Sequence, residues 1–196
     1  MYELPTSIML NGQSFAVRNR GDFRTVLDCM KALEDPELTK EERIVAALII
    51  FYEDLNGIED LGKLPDVVEA FKEMTKFFNC GGDSVGAKTP YKLVDWEKDS
   101  VLLYSAINNV AQKEIRLEPY VHWWTFMGYY LAIGECSFST VVSIRNKRAR
   151  GKKLEKHESQ FVRDNPEYFW NTKTVEEQEL EAELLKIWNN GGSTNG

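Results

Sequence analysis

Thr39-Lys40-Glu41-Glu42-Arg43-Ile44-Val45-Ala46-Ala47-Leu48-Ile49-Ile50-Phe51 decides the class of fold. Thr39 and Glu42 stand at the spacing of a capping box, in which each side chain satisfies the other residue's backbone N–H. From Ile44 to Tyr52 every residue is apolar, a run well short of the ~20 residues that span a bilayer. The pattern predicts a helix from Glu41 to Leu55 that is apolar nearly all round. Such a helix belongs at the centre of a bundle.

Working outward, Asp22 is placed to cap a helix whose Phe23, Val26, Leu27, Met30 and Leu33 recur at three- and four-residue spacings and end near Asp35-Pro36. Before it, Ser7–Leu10 and Gln13–Val17 flank Asn11-Gly12, the dipeptide that tolerates the two positive φ angles of a type I′ hairpin turn. After the central helix, Pro65-Asp66 open a third, with Val67, Ala70, Phe71, Met74, Phe77 and Phe78 facing inward. Gly81 to Pro90 reads as a linker.

Beyond it, Asp99 or Ser100 starts a helix carrying Leu103, Ile107 and Val110 in register. Glu118-Pro119 is expected to open the most aromatic helix, with Tyr120, Trp123, Trp124, Phe126, Tyr129 and Tyr130, and Gly134 to end it. Another helix is expected from Ser137 or Ser139 through Val141, Val142 and Ile144 into a basic stretch, and Asn165-Pro166 breaks the chain again. Thr174 to Trp188 reads as a last helix, acidic outside, with Leu180, Leu184 and Trp188 on one stripe, before a frayed end. The expected fold is mainly α, a helical bundle with a small N-terminal β-hairpin. Its expected organisation is a hairpin-plus-helix subdomain over 1–80, a linker at 81–90, a helical subdomain with the aromatic helix over 91–170, and an acidic helix with tail over 171–196.

Hydrophobic residues make up 43% of the 196, enough apolar surface to build a core and to exclude a disordered chain. The net charge of −7 is repelled by nucleic acid and anionic membranes and favours a protein partner. Cys29, Cys80 and Cys136 are odd in number and far apart, which does not suit a disulfide framework. With no basic, apolar leader at the start, the chain is expected in the cytoplasm with reduced thiols.

Catalytic and metal chemistry find little support. His122 and His157 are the only histidines, and His122 has no carboxylate or thiol beside it at ligand spacing, so a half-buried structural role is expected rather than a zinc site. The phosphate-cradling GxxxxGK[ST] and GxGxxG patterns and the GxSxG elbow are absent. The expectation is a non-enzyme without cofactor or metal.

Two features suit binding instead. Arg145-Asn146-Lys147-Arg148-Ala149-Arg150-Gly151-Lys152-Lys153 holds six cations and no anion, leaving 18 cations against 31 anions elsewhere. It reads as a phosphate-binding footprint, a solvated helix end, or a dock for the acidic stretch Glu176, Glu177, Glu179, Glu181 and Glu183. Adjacent Trp123 and Trp124 point about 100° apart on a helix. The stripe Tyr120, Trp124, Met127, Leu131 places Trp124 in the core and Trp123 nearer the surface. Trp123, Phe126, Tyr130, Arg145, Arg148 and Arg150 are therefore the candidate partner-binding residues.

Taken in order, these pieces resemble the bacteriophage gene-product-fifteen family. The N-terminal hairpin comes first, with Asp22-Phe23-Arg24, then Asp35-Pro36-Glu37-Leu38, Glu41-Glu42-Arg43 and Phe51-Tyr52. Tyr91-Lys92-Leu93-Val94-Asp95-Trp96 with Asp99 follow, then His122-Trp123-Trp124-Thr125-Phe126 and Ile144-Arg145. The likeness covers roughly Leu4 to Tyr168, and the His-Trp-Trp-x-Phe block is its most specific part. Where the family has Tyr-x-Ile-Asp-Leu, this chain has Lys113-Glu114-Ile115-Arg116-Leu117, and Thr174 to Trp188 lies beyond the resembling part. The resemblance implies a tail-assembly chaperone that binds the helical tape-measure protein, with the tail-tube protein as a second candidate partner and self-association left open. It implies no catalytic residues. The competing expectation is a nucleic-acid-binding phage protein acting through residues 145–153.

Overall fold

A computed structural model describes residues 3–82 and 91–169 of the chain. The acidic helix expected from Thr174 to Trp188 and most of the linker lie outside them. The described fold is mainly helical with one two-stranded antiparallel sheet. The chain divides into two compact units. One comprises residues 1–86 with 104–133, the other 87–103 with 134–196.

In the first unit, β1 (Ser7–Leu10) and β2 (Gln13–Ala16) pair in the register Ser7↔Ala16 to Leu10↔Gln13. Asn11 and Gly12 both have positive φ, 48° and 81°, as the type I′ reading requires. Ile8, Leu10, Phe15 and Val17 are buried. The chain then turns through three left-handed residues, Asn19, Arg20 and Gly21. Only glycine fits the last of them, because a Cβ there would lie 2.7 Å from Phe77 Cζ and 3.1 Å from His122 Nε2.

The helices α1 (Phe23–Leu33) and α2 (Lys40–Phe51) make the unit's main packed pair. Their caps are those read from sequence: Asp22 Oδ1 accepts the Arg24 N–H, and the Thr39–Glu42 capping box is complete. The central helix is less enclosed than its composition suggested. Ala47, Leu48 and Phe51 are buried, while Ile44, Ile49 and Ile50 are only half-buried. It also ends at Phe51, where the Arg18 guanidinium collects the carbonyls of Ile49, Ile50, Tyr52 and Leu55. That cluster satisfies carbonyls a helix end leaves open.

A 3₁₀ segment, Ile58–Lys63, precedes α3 (Val67–Phe78), whose Asp66 cap takes the N–H groups of Val68 and Glu69. Ala70, Met74 and Phe77 are its buried face. The helix α4 (Ser100–Ala111) gives its first turn to the second unit and the remainder to the first. A 3₁₀ turn at Ile115–Leu117 then leads to α5 (Trp123–Leu131). Two expectations give way here. The aromatic helix begins four residues after Pro119, and it belongs with the N-terminal elements rather than with residues 134–169.

In the second unit, α6 (Ser137–Ala149) is followed by α7 (Lys156–Asp164) and a 3₁₀ turn at Pro166–Tyr168. Gly151, at φ 65°, closes α6: its N–H bonds the Arg148 carbonyl, and the Lys152 N–H bonds that of Lys147.

Candidate functional site

The helix α5 is fixed at its start by two residues that bring distant motifs together. The Asp22 carboxylate caps α1, receives the Arg24 guanidinium at 3.1 Å on both oxygens, and accepts the Val121 N–H at 2.9 Å. The Phe23 N–H returns a bond to the Val121 carbonyl. His122 is the N-cap of α5: its Nδ1 accepts the Trp124 N–H at 3.0 Å. That leaves Nε2 as the protonated nitrogen, donating to the Pro5 carbonyl at 2.9 Å. His122 is almost fully buried, and burial lowers its pKa below the usual value. A neutral imidazole is what a cap needs, since the imidazolium has no acceptor.

The two tryptophans that follow secure the end of α3. Trp123 Nε1 donates to the Phe78 carbonyl and Trp124 Nε1 to that of Phe77, both at 2.9 Å. Trp123 is buried, and its ring stacks on Phe126, which stacks in turn on Phe23 at 4.5 Å with the planes 4° apart.

These contacts exchange the expected faces of the helix. Trp123 is 1% exposed and Phe126 is fully buried, so these two candidate binding residues belong to the core. Tyr130, seven residues after Trp123, is half-buried on the same stripe. The stripe expected inside lies at the surface: Trp124 and Met127 are half-buried, and Leu131 is 75% exposed. Tyr120 and Leu117, just ahead of the helix, are also exposed. Both stripes are apolar at helical spacing, so periodicity cannot choose between them. The choice is made by the Phe23 stacking partner and the α3 carbonyls, neither of which is local to α5.

The basic run divides in the same way. Arg145 is 1% exposed and forms a two-pronged pair with Asp99, Nη1–Oδ2 2.6 Å and Nη2–Oδ1 2.7 Å. It also donates to the carbonyls of Leu93 and Tyr168. Lys147 pairs with Glu158, whose carboxylate also closes the first turn of α7. That bond holds the Lys147 ammonium above, and the Glu158 carboxyl below, its ordinary pKa. Arg145 is thus a structural cation rather than a binding one, while Arg148 and Arg150 remain exposed. Nothing within the basic run sets Arg145 apart from its neighbours; Asp99, 46 positions away, is what pairs with it in the interior.

The other resembling blocks are absorbed in the same manner. Arg43 Nε donates to the Asp35 carbonyl at 2.6 Å, and the Asp35 side chain accepts the Glu37 N–H. Among the described residues, no group of three or more His, Cys, Asp or Glu is placed to hold a metal, and no helix is long and apolar enough to cross a membrane. Cys29 is buried, and burial raises its pKa far above that of a reactive thiol.

The chain is therefore a mainly helical protein, with an N-terminal hairpin, whose Asp22, Thr39, Asp66 and His122 cap helix starts and whose aromatic helix turns a second apolar stripe outward. It belongs to the bacteriophage Gp15 protein family, whose model matches residues 1–169. No curated protein and no solved structure matches it.

Proposed function

We propose that this phage protein is a tail-assembly chaperone that binds an apolar helical stretch of the tape-measure protein and keeps it soluble while the tail tube forms. The observation that carries the reading to particular residues is the outward stripe of α5, Trp124, Met127 and Leu131, with Leu117 and Tyr120 beside it in sequence. Membership of the Gp15 family supplies the phage setting. A partly exposed apolar stripe on a rigid helix is a surface that an amphipathic partner helix covers. Trp124 suits an anchor, because its indole N–H is already held by the Phe77 carbonyl and its ring is positioned before any partner arrives.

A tape-measure chain too long to bury its own apolar stripe aggregates unless covered. A stable interface buries on the order of 1,200–2,000 Å², so several copies of this protein coat one tape measure. In this reading the protein works in the host cytoplasm, without catalysis or cofactor. Co-expression of the tape-measure gene from the same genome, with and without this protein, tests it. The tape measure is expected in the soluble fraction only with its partner, and equal solubility alone would overturn the proposal. A phage lacking the gene is expected to make filled heads without tails.

A further inference from the structure

We infer that the basic face joining α6 to α7 is the docking site of the chain's own acidic segment, residues 176–183. Arg148, Arg150, Lys152, Lys153 and Lys156 are all exposed. The last four form no ion pair among the described residues, and the Arg148 guanidinium lies 5.9 Å above the Phe169 ring. The Gly151 turn keeps the end of α6 and the start of α7 only a few residues apart, so these cations form one neighbourhood. Beside them is a depression of about 630 Å³, lined by Lys153, Leu154, Glu155, Lys156, Ser159 and Arg163. Three cations against one carboxylate, with one leucine, suit an acidic strand of chain carrying occasional apolar side chains.

The occupant is chosen by charge and tether. Residues 176–183 carry five glutamates and no cation, with Leu180 among them. The described chain ends at Phe169, packed edge-on against Phe161 of α7 at 6.2 Å and beneath Arg148. The acidic segment thus leaves from the basic face itself, with only residues 170–175 intervening. Six residues reach at most about 20 Å, and a short tether holds the segment at roughly millimolar effective concentration. Any other polyanion must compete with it. Docking of this kind reserves the face for partners that displace the tail and screens it from casual nucleic acid.

Amine acylation of the full chain, read residue by residue by mass spectrometry, tests this. Lys152, Lys153 and Lys156 are expected to react roughly threefold faster when Glu176, Glu177, Glu179, Glu181 and Glu183 are all changed to Gln, as a tether-driven, mostly docked segment requires. The wild type should reproduce that gain in about 1 M salt, where the Debye length falls to about 3 Å. Lys72, on α3, is the control and should not change. Equal rates in wild type and variant at low salt would overturn the inference. So would protection that grows with protein concentration, since the occupant would then be a second copy. Duplex DNA binding wild type and variant equally tightly at physiological salt would overturn it too.

Discussion

His122 shows how one side chain settles what the helix around it can do. Its ring caps α5 through Nδ1 and ties the N-terminal segment through Nε2, and the capping bond requires the neutral form, because a protonated Nδ1 cannot accept the Trp124 N–H. Its folded pKa is depressed by burial. The unfolded chain therefore binds the extra proton first as pH falls, and stability present above about pH 6.5 is lost below it. Urea midpoints measured from about pH 7.5 to 5.5 should fall more steeply for wild type than for His122→Asn, which keeps a capping side chain without a titrating ring. Parallel slopes would contradict this assignment. The adjacent tryptophans give a second check at this scale. Trp123→Ala should cost ~3–5 kcal/mol, as truncation of a buried aromatic does, and Trp124→Ala clearly less, because its ring is only half-buried. The reverse order in denaturant melts would restore the faces that periodicity suggested.

At the scale of elements, what was legible in the sequence was chemistry that acts within a few residues. Asn11-Gly12, the Asp22 and Asp66 caps and the Thr39–Glu42 box each work over two to four positions, and each stands where the spacing put it. The start of α5 was not legible, because His122 competes with Pro119 as the opening residue and wins through contacts to Pro5 and Asp22, about a hundred residues away. The helix α7 was missed for a different reason. Its sequence, Lys-His-Glu-Ser-Gln-Phe-Val-Arg-Asp, has almost no apolar stripe, and the Glu155–Glu158 capping box was the one local signal. The fate of Arg145, on α6, depends on Asp99, the residue just before α4. Removing one member of a fully buried pair leaves the other charge unpaired, so Arg145→Met should cost ~3–5 kcal/mol. Arg150→Met, on the same run but exposed, should fall within ~0.5 kcal/mol of wild type. Equal effects in thermal melts would mean that the Asp99 pair is not what holds α6 in place.

At the scale of the whole molecule, the mainly helical class followed from composition and capping, whereas the division into units did not. The linker at 81–90 suggested two contiguous halves, but residues 104–133 return to the N-terminal unit because Phe23, Phe77 and Phe78 supply partners for Trp123, Trp124 and Phe126. This arrangement consumes the aromatic residues that looked most like binding anchors and leaves the opposite stripe of α5 outward. The family match over residues 1–169 takes in both units as far as the described chain runs. The most direct measurement is co-purification of the co-expressed tape-measure protein with wild type and with Met127→Glu/Leu131→Glu, a pair of changes on partly exposed positions that should leave the melting temperature within a few degrees of wild type. The account predicts that wild type brings down soluble tape measure and the folded double variant does not. Undiminished recovery by the folded variant would contradict it.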